Sequence, residues 1–384
     1  MKKNLVKSLL LLMLSSVLVL TSCRTPYHGV NPHVAPPTAT EKPMSVLPTQ
    51  QVVKPISGVF VAADKYGNME TSIKSSELMD NGYEYGDMVN VVVAGMAYKA
   101  PIVTTYSDVD VGNFLIRIKD DQVFFSINYG NCQKKTGAEA DMPLVISMDE
   151  KGAYLLEFET RHLVKVEDRA DVASDAVFAN FREVTIGDIK EGMLYRSANP
   201  SLDDARAPYA EKLAQEAGIK SIVNFADSEE SLAEHMNSIH WYKDMYEKGH
   251  VILLDMDVDY SSAEFGQKIA KGYIFMAENK GPYLIHCNEG KDRAGFASVI
   301  LESLMGGTMD EIQADYMISY ANYYGVKPGT AQYNYIADTP YNMLSTISNG
   351  IDVTDTNLEM IAKNYLLNNG LTEAQIEKLK ANLM

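Results

Sequence analysis

The sequence is poor in cysteine and in positive charge. Its 384 residues include three cysteines, Cys23, Cys132 and Cys287. A chain with so few cannot rely on a disulfide framework, so its stability must come from hydrophobic cores. Lysine and arginine number 34 against 51 aspartates and glutamates, which gives a net charge of −17. This excess of acid argues against nucleic acid as a partner, because phosphate backbones are held mainly by Lys and Arg.

Long apolar runs are also missing, apart from a short one near the N-terminus. Lys2, Lys3 and Lys7 precede the apolar residues 9–20. Residues 1–22 are therefore predicted to be a secretory signal peptide, which is too short for a stable membrane span. The junction Leu20-Thr21-Ser22-Cys23 resembles a bacterial lipobox.

The lipobox resemblance implies that Cys23 is lipidated and becomes the mature N-terminus. The protein is then expected outside the cytoplasm, anchored to the cell envelope by lipid alone. Arg24 follows instead of Asp, which under Gram-negative sorting rules would allow passage to the outer membrane. Ordinary cleavage nearby, with Cys23 incidental, is the alternative.

Proline dominates the next segment. Residues 23–51 contain polar residues and no hydrophobic periodicity, and their prolines are Pro26, Pro32, Pro36, Pro37, Pro43 and Pro48. This composition predicts a flexible, extended tether.

Residues 52–172 have the pattern of a small all-β domain. Short β-branched or aromatic runs occur at 89–93, 114–118, 123–127 and 154–158. Turn sequences separate them, such as Asn81-Gly82 and Lys151-Gly152. Strands at this spacing predict a small barrel or sandwich.

This half also resembles the C-terminal barrel domain of SAM hydroxide adenosyltransferases. The resemblance rests on residues 64–68, 71–73, 86–87, 105–109 and 127–131. It implies a barrel, but the catalytic N-terminal domain of that family has no counterpart here, so no adenosyl chemistry is expected. The domain is either a module that binds a ligand or protein, or a spacer.

Residues 173–384 alternate between helical and strand patterns. Helices are predicted at 203–217, 262–279, 295–305 and 309–319, and strands at 221–225, 251–254 and 283–286. This alternation predicts an α/β domain with a mainly parallel central sheet flanked by helices. Ligands of such sheets bind beyond the carboxyl ends of the strands.

The segment that follows the last of these strands carries the chemistry. Cys287 and Arg293 are separated by five loop residues, and a helix begins after them. Backbone N–H groups at a helix N-terminus form an anion site and lower the pKa of a thiol placed there. Cys287 is expected to be the thiolate nucleophile, and Arg293 to clamp two phosphoryl oxygens. Gly290 permits the tight turn, and Gly295 the close packing of the helix.

This is the Cys-x5-Arg signature, and the chain resembles the protein tyrosine phosphatase superfamily. The sequence Gly-Lys-Asp-Arg at 290–293 is similar to the bacterial tyrosine and phosphoinositide phosphatase branch, as are residues 194–198 and 311–319. The resemblance implies that the substrate is bound by His286, Asn288, Glu289, Gly290, Lys291, Ala294 and Gly295. Lys291 would suit substrates with more than one phosphate, and His286 is expected to orient the loop.

A general acid must protonate the leaving oxygen. The resemblance implies Asp292. Related phosphatases use an aspartate from the loop after the preceding strand, where Asp255, Asp257 and Asp259 lie; of these, Asp259 and Asp257 are the alternatives. Asp227 matches neither position and is interpreted as a turn residue.

Two residues depart from the family pattern. Most relatives have Ser or Thr in place of Ala294, and that hydroxyl helps the thiolate to leave, so we expect slow breakdown of a phosphocysteine. Glu289 is an acid in an anion-binding loop. If it points outward it disfavours highly phosphorylated substrates by repulsion; otherwise it faces solvent or pairs with a basic residue.

These features predict a phosphomonoesterase that acts through a phosphocysteine on phosphotyrosine, phosphoinositide or inositol phosphate. The alternative is a catalytically weak phosphate-binding or interaction module at the cell envelope. No cofactor is expected, and no cluster of His, Cys or carboxylates suggests a metal site. The sequence does not indicate an oligomeric state.

Overall fold

The computed structural model describes residues 53–235 and 240–384. The predicted signal peptide, Cys23 and the body of the predicted tether lie outside them. The described residues belong to one compact unit, so the predicted boundary between 172 and 173 stays a prediction. No helix of the described ranges is long and apolar enough to cross a bilayer.

Seven strands form a closed barrel in the order β1-β2-β6-β5-β4-β3-β7. They are β1 (Ile56–Ala63), β2 (Met69–Thr71), β3 (Met88–Val93), β4 (Met96–Val103), β5 (Phe114–Lys119), β6 (Gln122–Ile127) and β7 (Pro143–Glu150). Neighbours are antiparallel except β4 and β5, which are parallel. In β3, Val89, Val91 and Val93 are fully buried and alternate with less buried residues, as a strand with one face on a core requires. The barrel prediction is confirmed.

The predicted strand at 154–158 is wrong, because this run starts a helix. The three helices of this part of the chain are α1 (Ser75–Asp80), α2 (Cys132–Thr136) and α3 (Leu155–Arg161). β7 already pairs with β1 on one side and β3 on the other, so no sheet edge remains for another strand. Glu157 and Arg161 instead form an ion pair at 2.6 Å along the helix.

Three of the five segments that carry the barrel resemblance, 64–68, 105–109 and 127–131, contribute residues to the lining of one cavity. Its volume is about 730 Å³, and its lining includes Tyr66, Asn68, Asn128, Tyr129 and Asn131. The side-chain amide of Asn68 donates to the carboxylate of Asp64 at 2.9 Å, and that of Asn128 donates to the carbonyl oxygen of Val109 at 2.7 Å.

A second sheet follows, in the order β11-β10-β12-β9-β8. Its strands are β8 (Arg182–Glu183), β9 (Leu194–Ser197), β10 (Ser221–Asn224), β11 (Val251–Leu253) and β12 (Tyr283–His286). All neighbours are parallel except the edge strand β8. Ser197, Asn224 and His286 lie side by side in the register, so three strands end at one level. All four residues of β12 are buried, as expected for a strand covered on both faces.

Helices surround this sheet. They are α4 (Asp175–Phe178), α5 (Ala207–Glu216), α6 (Glu229–His235), α7 (Trp241–Glu247), α8 (Ala263–Glu278), α9 (Arg293–Leu304), α10 (Met309–Tyr324), α11 (Ala331–Ala337), α12 (Thr339–Ile347), α13 (Leu358–Asn368) and α14 (Glu373–Leu383). The α/β prediction is confirmed. α5 begins later than predicted because Asp204 accepts from the N–H of Arg206 at 2.7 Å and holds a turn there.

Candidate active site

The loop from Cys287 to Asp292 joins the central strand β12 to α9. β12 lies between β9 and β10, so the loop leaves from the middle of the carboxyl edge. Every residue of α9 after Arg293 is buried, which fixes the helix in the core. The predicted order of buried strand, loop and helix is therefore present, with Cys287 buried at its start.

The scaffold behind the loop binds four successive carbonyl oxygens. The donors are Asn199 N to Asn288 O at 3.0 Å, Asn180 Nδ2 to Glu289 O at 2.9 Å, and Arg196 Nη2 to Gly290 O at 2.8 Å and Lys291 O at 3.3 Å. In a trans peptide, the C=O of one residue and the N–H of the next point in opposite directions. The N–H groups of residues 289–292 therefore face the front of the loop, where they form an anion-binding concavity.

Arg196 is the main support of this arrangement. Its side chain is completely buried, and its Nη1 donates to Asp315 Oδ2 at 2.7 Å. Arg182 binds the other oxygen of Asp315 at 2.7 Å. Burial opposes ionisation of Asp315, but the two guanidinium groups outweigh it and lower the pKa. Burial raises the pKa of the nearby Glu302 well above its usual value, which favours its neutral form. Two arginines and one ionised carboxylate leave a net positive charge behind the loop.

Gly290 is needed for both its conformation and its lack of a side chain. Its φ is +68°, in the left-handed region. A Cβ there would lie 2.1 Å from the carbonyl oxygen of Ser197. The loop therefore lies closer to β9 than a residue with a Cβ at position 290 would allow.

One nitrogen of the Arg293 guanidinium group is hydrogen-bonded and another is not. Its Nη1 donates to the carbonyl oxygen of Met256 at 2.6 Å, which ties it to the loop after β11. Its Nε is buried and has no hydrogen-bond partner among the described residues. A buried N–H group without a partner is costly, and a phosphoryl oxygen in front of the loop would satisfy it.

A buried hydrogen-bond chain leads away from His286. Its Nε2 lies 2.8 Å from the hydroxyl of Tyr242, which accepts from Asn224 Nδ2 at 3.0 Å; Asn224 Nδ2 also donates to Asp227 at 2.8 Å. Burial lowers the pKa of His286 to about 4, so the ring is neutral at neutral pH. Its expected role in orienting the loop stays a prediction. Asp227 is not an ordinary solvated turn residue: it is buried and also accepts from Asn199 at 2.9 Å.

Two charged side chains of the loop, Glu289 and Lys291, are paired with each other. Glu289 lies 3.3 Å from Lys291 and 3.1 Å from Lys165. Burial opposes its ionisation, but the two lysines outweigh this effect and hold its pKa below the usual value. Of the alternatives open for Glu289, the structure shows pairing with basic residues. Lys291 donates to the hydroxyl of Tyr324 at 3.1 Å and faces the ring of Tyr320.

Comparison with known proteins identifies the family. The family model described as the tyrosine phosphatase family matches residues 177–384, more than half of the chain. The chain belongs to the tyrosine phosphatase family. The family prediction is thereby confirmed, and the chain is of the phosphatase type of hydrolase. The model of the SAM hydroxide adenosyltransferase C-terminal domain matches residues 58–145, as the barrel residues indicated.

Individual relatives are more distant. A candidate tyrosine-protein phosphatase from Cupriavidus necator is 28% identical over 153 residues, 34% of this chain and 54% of that protein. The chain thus spans about half the length of this curated relative. The solved core catalytic domain of a PP-IP phosphatase from S. cerevisiae is similar with 17% identity and a TM-score of 0.26, over 46% of this chain and 96% of that one. An uncharacterised Thermotoga maritima protein is 22% identical with a TM-score of 0.24, over 25% of this chain and 37% of that one.

The two sets of candidates for the general acid lie in different environments. Burial raises the pKa of Asp292, and Glu289 raises it further, while Lys291 and Arg293 oppose the effect. Asp255, Asp257 and Asp259 are exposed. Hydrogen bonds from Ser261 lower the pKa of Asp259, and Asp257 caps the N–H of Asp259 at 2.9 Å. A group that must carry a proton is better served by the environment of Asp292.

Two further predicted site residues, Ala294 and Gly295, are buried in the first turn of α9. A Cβ on Gly295 would come within 2.9 Å of the Tyr316 ring and 3.1 Å of Arg196 Nη2.

No group of three or more His, Cys, Asp or Glu residues suited to a metal ion occurs in the described ranges.

Sequence reasoning missed several residues that hold the loop. Arg196 and Asp315 lie in segments that resemble the family, so a signal existed, although not for their pairing. Asn180, with φ +48°, is fully buried, and neither it nor Lys165 has a recognisable pattern around it.

The replacement Gly290→Ala tests the contact between loop and β9. Gly306→Ala is a matched control, since Gly306 also has a left-handed φ of +85° but open space around its Cβ position. Both variants place an alanine in the left-handed region, which costs about 1 kcal/mol of backbone strain. Only Gly290→Ala also displaces the loop. We expect kcat/KM for an aryl phosphate to fall about 100-fold in Gly290→Ala. Activity of Gly290→Ala close to that of the control would contradict the role of the close contact.

The replacement Asp292→Asn tests the general acid. Because the pKa of Asp292 is raised, its proton is retained to higher pH than in free aspartate and lost as the pH rises through that pKa. Wild-type kcat should therefore decline on the alkaline side, and Asp292→Asn should lack this decline. With an alkyl phosphate, kcat should fall about 100-fold or more, and less with p-nitrophenyl phosphate, whose leaving group needs little protonation. Loss of the alkaline decline in Asp259→Asn instead would assign the acid to the other loop.

Proposed function

We propose that the chain hydrolyses phosphomonoesters through a phosphocysteine intermediate. The observation that supports this most is the set of four carbonyls bound from behind, which directs the N–H groups of residues 289–292 to the front of the loop. Such a concavity stabilises the charge on phosphoryl oxygens. The guanidinium of Arg293, whose buried Nε has no hydrogen-bond partner among the described residues, would add a charged donor.

We infer the following reaction. The thiolate of Cys287 attacks phosphorus, an S–P bond forms, and the bond from phosphorus to the ester oxygen breaks. Asp292 gives its proton to the departing oxygen, which leaves as an alcohol. Water then attacks the phosphocysteine and gives a proton to the Asp292 carboxylate. The S–P bond breaks, inorganic phosphate leaves, and the thiolate is restored.

The substrates that fit best are phosphotyrosine, phosphoinositide and inositol phosphate. All are phosphomonoesters whose terminal phosphate can enter a loop of this kind. The loop rim offers Lys291, next to Tyr320 and Tyr324, to an anionic or aromatic part of the substrate.

We also propose that lipid on Cys23 holds the protein at the cell envelope, outside the cytoplasm. The support is the sequence alone: a basic start, a short apolar run, and Ser22 directly before Cys23. Cys23→Ala should move the protein from the membrane fraction to the soluble fraction on cell fractionation. An unchanged membrane fraction in this variant would contradict lipidation of Cys23.

Release of phosphate from p-nitrophenyl phosphate tests the enzymatic proposal. Cys287→Ser and Arg293→Lys should each lower kcat by about 1000-fold or more, because one removes the nucleophile and the other the two-pronged clamp. Vanadate should inhibit the wild type. Cys132→Ala is the control: burial raises the pKa of this barrel thiol, so its loss should leave activity unchanged. No release by the wild type between about pH 5 and 8 would favour a phosphate-binding module instead.

A further inference from the structure

The segment between the barrel and the second sheet reaches the rim of the active-site loop. It follows α3, which ends at Arg161, and precedes the 3₁₀ turn Arg169–Asp171. Lys165, within it, lies 3.1 Å from Glu289 Oε1, and each side chain is 27% exposed. A residue outside the phosphatase-family match of residues 177–384 thus contacts the candidate active site.

The position of Lys165 is fixed by its neighbour. The N–H of Val166 donates to the carbonyl oxygen of Tyr323 at 2.7 Å. The carbonyl oxygen of Val166 accepts from the guanidinium of Arg206. Arg206 is itself buried and packs on the rings of Phe178 and Tyr323, at 4.3 and 4.4 Å. Both backbone groups of Val166 are therefore bound, and Lys165 extends from an anchored segment.

The charges of the loop explain what Lys165 adds. Lys291 lies 3.3 Å from Glu289 and 3.8 Å from Asp292. As the proposed general acid, Asp292 carries a proton, so Glu289 is the loop carboxylate that competes with a bound anion for Lys291. Lys165 takes a share of Glu289 and leaves Lys291 more available to such an anion.

We propose that Lys165 is a specificity-determining residue, which lets the active site accept a second anionic group beside the phosphate in the loop. The inference rests on the proposed function of the same site. With Lys165 present, Glu289 is neutralised and Lys291 can meet the additional anion. Without it, Glu289 would bind Lys291 alone and repel a second phosphate at the rim.

The test compares two competitive inhibitors of p-nitrophenyl phosphate hydrolysis, inorganic phosphate and inorganic pyrophosphate. In Lys165→Gln, the Ki of pyrophosphate should rise about two- to fivefold, the range of a partly exposed ion pair. The Ki of phosphate should rise by less than half as much on a logarithmic scale. Lys165→Arg should keep the wild-type ratio. Adding Glu289→Gln to Lys165→Gln should restore pyrophosphate affinity, because the unpaired acid is then gone.

Lys212→Gln is the matched control, since Lys212 is 60% exposed and pairs with Asp175 and Glu216 on the helical surface. Its Ki values should equal those of the wild type. An equal rise of both Ki values in Lys165→Gln, or none, would overturn the inference. If Lys165→Gln does not fold, Glu289→Gln alone should lower the Ki of pyrophosphate, and an unchanged value would equally overturn it. A wild type that neither hydrolyses the aryl phosphate nor binds either anion would overturn the proposed function itself.

Discussion

The buried guanidinium of Arg196 connects the active-site loop to the rest of the protein. On one side it binds Asp315, and on the other it donates to the carbonyl oxygens of Gly290 and Lys291. A buried charge is tolerated only when it is paired, and removal of one partner from such a pair costs about 3–5 kcal/mol. Loop geometry and domain stability therefore depend on the same side chain. The directions of the loop N–H groups follow from it, and so does the anion site.

This arrangement reconciles the acidic chain with an anion-binding site. The net charge of −17 is spread over the whole sequence, whereas the local field comes from Arg182, Arg196 and Arg293 and from the start of α9. Burial raises the pKa of Glu302, which opposes a further negative charge behind the loop. Interactions over a few ångströms in a buried setting outweigh distant charges that are screened by solvent.

The local features of this site could be predicted from sequence, and the distant ones could not. A buried strand, Cys287, five residues, Arg293 and a helix form one continuous segment, so periodicity and spacing are sufficient to find it. Asn180 and Lys165 contact Glu289 of the loop from far away along the chain, and no periodic pattern encodes such contacts. The run at 154–158 has strand-forming composition, but barrel closure by β7 leaves it no partner. Tertiary context overrides propensity there.

Trapping the phosphocysteine intermediate would show directly whether Cys287 attacks phosphorus. The wild-type protein is mixed with p-nitrophenyl phosphate, quenched with acid during the first turnovers, digested and weighed by mass spectrometry. We expect the peptide containing Cys287 to gain the mass of one phosphoryl group, and this form to accumulate because Ala294 provides no hydroxyl to the leaving thiolate. Phosphate released with Cys287 unmodified at every quench time would contradict it.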